Sequence, residues 1–197
     1  MRQGLIFLLT GWAGFFIMAL ELLGGRILFP YFGGTINIWG ALISVFLCAL
    51  SLGYVLGGQL SRHKARLAVL AVFLCAAAAF VIPIAVAADK LLALVFTFVL
   101  SPSYGALLAA LLLFAIPAAL LGMVTPYAMR LLVGDQNQTG STAGWLYFAG
   151  TVGSALGTII TSFYLVLWFQ VAQILVGLIL ISFFFGLVTF WVAGRHG

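Results

Sequence analysis

The chain has 197 residues, of which 65% are apolar and only 6% charged, far below the roughly 25% charged residues of soluble globular domains. A membrane span takes about 20 mostly apolar residues, so the chain has room for about six spans and for no aqueous domain large enough to be an extramembrane enzyme. Its net charge of +5 comes from Lys and Arg in short breaks between apolar runs, the pattern of loops beside anionic lipid rather than of a nucleic-acid-binding face.

The first span is expected over residues 4–24, ended by Gly24, Gly25 and Arg26, with Pro30 and the Gly33–Gly34 pair breaking any continuation. Arg2 precedes it, but no small-x-small cleavage site followed by a polar stretch is present, so a cleaved signal peptide is not expected. Span two covers residues 36–60 and closes at Ser61, Arg62, His63, Lys64 and Arg66, the densest charge cluster. Span three runs over 67–88 and stops at Asp89 and Lys90; the apolar stretch 91–100 is too short to cross and predicts an interfacial or re-entrant helix. Span four covers 106–127, with Pro117 and Pro126 inside it, and closes at Arg130. The polar run GDQNQTGST, residues 134–142, predicts a loop, and spans five (143–168) and six (171–193) follow, with Arg195 after them. The expected fold class is all-α: one integral membrane domain over residues 1–197, a multi-pass bundle of about six transmembrane helices with one interfacial or re-entrant segment.

An even number of spans puts both termini on one side. Placing that side in the cytoplasm gathers Arg2, Arg62, Lys64, Arg66, Arg130 and Arg195 there and leaves Arg26 and Lys90 outside, as the positive-inside rule asks; a bacterial inner membrane is the expected location. Trp39, Trp145, Trp168 and Trp191 fall near predicted span ends, where indoles favour the interface, and Trp12 lies deeper.

Glu21 is the one acid inside a predicted span, and a carboxylate in hydrocarbon is costly enough to mark either a ligand or proton site or a structural pair. Arg26 is its candidate partner if the helix unwinds at Gly24. Gly53 with Gly57 and Gly153 with Gly157 each form a G-x-x-x-G, which strips one helix face for close packing. Thr151, Ser154, Thr158 and Thr161 make a hydroxyl stripe, read either as helix self-bonding or as a polar pathway. Pro117 and Pro126 free backbone carbonyls in span four, a device of transporters that also occurs where nothing binds.

Cofactor classes are set aside on what they require. His63 and His196 lie outside the spans and cannot hold a haem, and the three acids are too scattered for a metal cluster. Cys48 and Cys75 sit in apolar runs without disulfide or CxxC spacing. No nucleotide-binding turn is present, and Asn137-Gln138-Thr139 matches a glycosylation acceptor only on the side expected to be cytoplasmic. No cofactor and no metal is expected.

The runs ELLGGRILFPYFGG followed by Trp39, then GYVLGGQLSRHKAR, PAALLGMVTPYAMR and GWLYFAGTVGSALGT, resemble in order the membrane domain of spermidine-synthase-like proteins, which join a major-facilitator-like bundle to an aminopropyltransferase domain. The resemblance covers residues 10–165 and is carried by Glu21, Arg26, Pro30, Gly33, Gly57, Gly58, Arg62, Pro126, Tyr147, Thr151 and Gly157. Ser61 departs from it, where the pattern often has an acid before the arginine, and so does Gly150, where an asparagine commonly precedes the threonine. No residue matches the acidic and glycine-rich motifs of the catalytic domain, so the resemblance implies the membrane portion without the enzyme. The expected function is a non-catalytic membrane subunit or scaffold, with the lipid bilayer, other membrane proteins or further copies of itself as partners. The alternative is a transporter or half-transporter for a small polar metabolite such as a polyamine.

Overall fold

In a computed structural model that describes residues 2–62, 65–99, 101–133 and 139–195, the described chain is helical with no strand. His63, Lys64, His196 and the Asn137 acceptor lie outside the described residues. Helices α1 (Arg2–Phe32), α2 (Ile36–Leu60) and α3 (Leu67–Phe98) are followed by α4 (Pro102–Gly122) and α5 (Val124–Leu132), which together make one span. The last two spans are α6 (Thr139–Ile160), continued by a π-helical turn Thr161–Leu165 and the short α7 (Val166–Trp168), and α8 (Val171–Arg195). Six helical rods are thus long and apolar enough to cross a membrane.

Several boundaries differ from the sequence expectation, for one reason. A bilayer offers no water to backbone groups, so a helix is kept through residues that would end it in solution. α1 runs unbroken through Gly24, Gly25 and Pro30. The two glycines serve packing instead: a Cβ on Gly24 would stand 3.1 Å from both Leu42 and Phe114, and one on Gly25 would stand 2.7 Å from the Trp39 ring. Termination falls at Gly33, whose φ of +83° is open to glycine and whose N–H donates to the Phe29 carbonyl at 2.9 Å.

α3 likewise continues past Asp89 and Lys90, both exposed, and buries Leu92 and Val95 beyond them. The separate interfacial or re-entrant helix expected at 91–100 is therefore the last turns of α3 as far as Phe98. At about 1.5 Å per residue this helix is about 48 Å long, so its charged turn has room outside a hydrocarbon layer about 30 Å thick. Span four has a local break at Met123, one turn before Pro126, which has no N–H to offer the Gly122 carbonyl. Residues 139–142, expected as loop, are the first turn of α6.

The rods pack in pairs: α1 on α6, α2 on α4 and α3 on α8, with α4 also against α3 and α1. Exchanging α1 with α4–α5, α2 with α6 and α3 with α8 maps this pairing onto itself, and the glycine contacts hold register. A Cβ on Gly153 would collide with the Gly11 carbonyl, and one on Gly53 with the Ala119 carbonyl. Gly157 lies on the Phe15 backbone as Gly57 lies on that of Met123; Gly14 meets the Gly150 carbonyl as Gly122 meets that of Leu50. The segments SLGYVLGG (51–58) and TVGSALGT (151–158) are the sequence trace of the same repeat. Its two halves run in opposite directions, an inverted-topology repeat.

The start of α1, residues 61–62 and 65–66, the end of α5 and the end of α8 gather at one end of the bundle, here the terminal end. The turns at 33–35 and 169–170, with residues 99 and 101, form the distal end. Tyr127 accepts the Arg66 N–H at 3.0 Å at the terminal end, and Tyr31 donates to the Asp89 carbonyl at 3.2 Å at the distal end. Among the described residues, Arg2, Arg62, Arg66, Arg130 and Arg195 belong to the terminal end. Trp39, Trp145, Trp168 and Trp191 are exposed near helix ends.

Trp12 is held inside, its Nε1–H donating at 2.9 Å to Ser182 on α8, whose own hydroxyl donates to the Leu178 carbonyl at 2.8 Å. Ser182→Val should lower unfolding stability by about 1 kcal/mol, the usual scale of one interhelical hydrogen bond in a membrane protein. Unfolding in mixed detergent checks it, and Trp12→Phe on the Ser182→Val background should restore most of the loss, because the unpaired donor is then gone.

Candidate functional site

The glycine contacts leave a groove. Where α1, α2, α4–α5 and α6 converge in the terminal half of the bundle, a cavity of about 510 Å³ opens to the surface. Gly14, Gly122 and Gly150 line it, together with Ala13, Ile17 and Leu121. Six hydroxyls also line it: Thr10, Tyr54, Thr125, Tyr147, Thr151 and Ser154. Thr10 bonds its own helix, donating to the Ile6 carbonyl at 2.9 Å. The side chains of the other five make no hydrogen bond with any described residue. Hydroxyls within a span normally find a helix carbonyl, as Ser51, Thr97 and Thr189 do here. Five that do not, gathered in one groove, form a surface able to hydrogen-bond water or a polar ligand.

Glu21 is not part of this lining but lies near it. It lies one helical turn beyond Ile17 on the α1 stripe that carries Thr10 and Gly14, partly buried and without an ion pair or hydrogen bond to any described residue. Because α1 extends to Phe32, Glu21 sits about 17 Å below the distal end of its helix rather than at its mouth. The pairing with Arg26 considered from sequence does not form. Five residues apart on an unbroken helix, the two side chains leave the axis about 140° apart, and no salt bridge joins them. Arg26 is exposed and lines a separate cavity near the distal end.

The hydroxyl stripe on α6 divides. Over the ten residues from Thr151 to Thr161 the positions drift about 80° around the helix at the α-helical period of about 100° per residue. Thr151 and Ser154 therefore face the groove, while Thr158 bonds its own helix, donating to the Ser154 carbonyl at 3.0 Å. Thr161 is fully buried with no partner for its hydroxyl and lines the distal cavity. Gly53, Gly57, Gly153 and Gly157 are all buried at helix contacts, which makes them packing positions. Cys48 and Cys75 are free thiols.

Sequence reasoning missed Tyr54, Tyr147, Thr125 and Thr10 as members of one site. Little in the sequence marks them: Tyr54 and Tyr147 each lie within about two turns of a helix end, where a tyrosine reads as an ordinary interface residue. No family profile, curated protein or solved structure matches the chain.

Proposed function

We propose that this chain is a non-catalytic integral membrane subunit, one half of a two-part bundle whose other part covers the groove between α2 and α6. The observation that carries the reading is the set of five unpartnered hydroxyls opening on that face. Left against lipid, each would cost several kcal/mol, roughly, because hydrocarbon supplies no partner. A second bundle, or water held beneath one, removes that cost. Further support comes from α6, the least covered of the six spans. The inverted repeat and the resemblance to facilitator-like membrane domains of spermidine-synthase-like proteins agree with it. The arginine-rich terminal end faces the cytoplasm in this reading, in a bacterial inner membrane.

Single-cysteine variants on a background lacking Cys48 and Cys75 test it. Tyr54→Cys and Tyr147→Cys, on the groove rim, should crosslink in native membranes to a second copy or to one defined membrane partner. Val86→Cys on α3 and Leu180→Cys on α8, both exposed, should not. Equal crosslinking of all four positions, or of none with a monomer alone after gentle solubilisation, overturns the reading.

A second reading, transport of a small polar or cationic metabolite such as a polyamine, is favoured by one observation: Glu21 lies on the same α1 stripe as the groove. A two-copy assembly would bring two such carboxylates to one passage, which better suits a multivalent cation.

A further inference from the structure

At the opposite end from the groove, a cavity of about 620 Å³ opens between the distal parts of α1 and α2, the π-helical turn and the start of α8. Three features distinguish it from a packing gap. Arg26 lines it and is the only charged residue that does so, with no acid lining the cavity among the described residues. Thr161 lines it with a side chain of 0% exposure whose hydroxyl has no hydrogen-bond partner. The π-turn begins at that threonine: i→i+5 bonding brings Thr161 and Val166 onto one face with Ser162 beside them, and all three line the cavity. Such turns are frequent at functional sites. Most of the remaining wall is apolar, with Phe29 and Trp39 the large side chains. Trp39 is fixed by its ring, which lies on Gly25 closely enough that a Cβ there would be 2.7 Å away.

We infer that this cavity binds an organic anion with an apolar body, its phosphate or carboxylate held by Arg26 and hydrogen-bonded by the hydroxyls of Thr161 and Ser162, with the apolar part along Phe29 and Trp39. Guanidinium presents a planar fork of donors that matches either anionic group. The buried hydroxyl supplies a donor that nothing else in the described chain uses, and the aromatic wall accepts an alkyl chain. Asp89 lines a smaller neighbouring cavity of about 240 Å³ that Arg26 also borders, but no salt bridge joins them, so the guanidinium is free to turn to a ligand. A membrane phospholipid and a free amphiphilic anion both carry this chemistry. The site is independent of the groove, and its failure would leave the proposed function untouched.

The test uses the full chain, delipidated in a neutral detergent and titrated with phosphatidylglycerol or decyl phosphate, read by native mass spectrometry and by thermal shift. Saturable 1:1 binding is expected. Phosphatidylglycerol binding marks a lipid site, and decyl phosphate binding without it marks a site for a free anion. Arg26→Gln should weaken binding at least about tenfold, as loss of a charge-assisted bidentate contact does. Thr161→Val should weaken it about fivefold while leaving ligand-free stability equal or higher, since a buried unpaired hydroxyl is replaced by a methyl of similar shape. Thr158→Val, whose hydroxyl is already bonded within its helix, should bind as the parent does. Unchanged binding in both Arg26→Gln and Thr161→Val overturns the inference. So does a Thr161→Val protein whose ligand-free stability falls, because the hydroxyl is then structural.

Discussion

Gly153→Ala and Gly53→Ala are each expected to remove about 3 kcal/mol of stability, at the upper end of the cost of overpacking a core, and to leave little monodisperse protein after extraction. A methyl is the smallest possible addition, yet here it has nowhere to go. On Gly153 it would stand 2.8 Å from the Gly11 Cα and closer still to that residue's carbonyl; on Gly53 it would meet the Ala119 carbonyl and lie 3.1 Å from the Gly122 Cα. Backbone has to yield, and in each case it belongs to a neighbouring helix that also borders the groove. Gly57→Ala should behave the same way, with Met123 Cα 2.7 Å from the added carbon. Gly58→Ala provides the adjacent control: nothing lies within 4 Å of its Cβ, and it should be neutral or stabilise by up to about 1 kcal/mol, the helical cost of glycine against alanine. Thermal unfolding of the purified variants in one detergent checks the series. Equal losses at Gly57 and Gly58 would show that the cost is generic to helix glycines rather than to the interface.

The G-x-x-x-G pairs were legible in sequence because their signal is local, two small residues one turn apart on a single rod. The faces they meet were not, since Gly11, Phe15, Ala119 and Met123 carry no mark that assigns them to a partner. The repeat joining SLGYVLGG to TVGSALGT lies in plain view at an offset of 100 residues, but few of its positions are identical, and glycine-rich membrane helices converge readily. Span number was legible for a related reason: apolar run length is imposed by bilayer thickness. Span ends were less so. Gly24, Pro30, Asp89 and Lys90 read as terminators under rules learned in water, and a lipid environment overrides those rules by penalising exposed backbone. The π-turn at Thr161 had no sequence signature at all, whereas the drift that turns Thr161 away from Thr151 follows from the α-helical period alone.

On the transport reading, Glu21→Gln is expected to raise stability while abolishing uptake, and the opposite signs make it the more informative substitution. An ionised carboxylate near the middle of a span costs about 2.5–3.5 kcal/mol on insertion scales. Here no described residue repays that with an ion pair or a hydrogen bond, and glutamine preserves shape while removing charge. A residue kept only for folding would not be an unpaired acid one turn above a hydroxyl-lined groove, so the cost points to use. In proteoliposomes, spermidine uptake should fall at least about tenfold in Glu21→Gln, the scale of one lost charge-assisted contact, and be partly kept in Glu21→Asp. Asp89→Asn, at the exposed turn of α3, should leave uptake unchanged. Had Glu21 been paired with Arg26, neutralising either residue would leave the other charge unpaired, and Glu21→Gln and Arg26→Gln would destabilise alike. Parallel unfolding of those two variants therefore separates a structural pair from a polar site, whatever solute is carried. Uptake at the parent level in Glu21→Gln would remove Glu21 from the transport path, and no uptake by the parent chain would confine it to the subunit role and leave the groove as a buried, watered seam between two bundles.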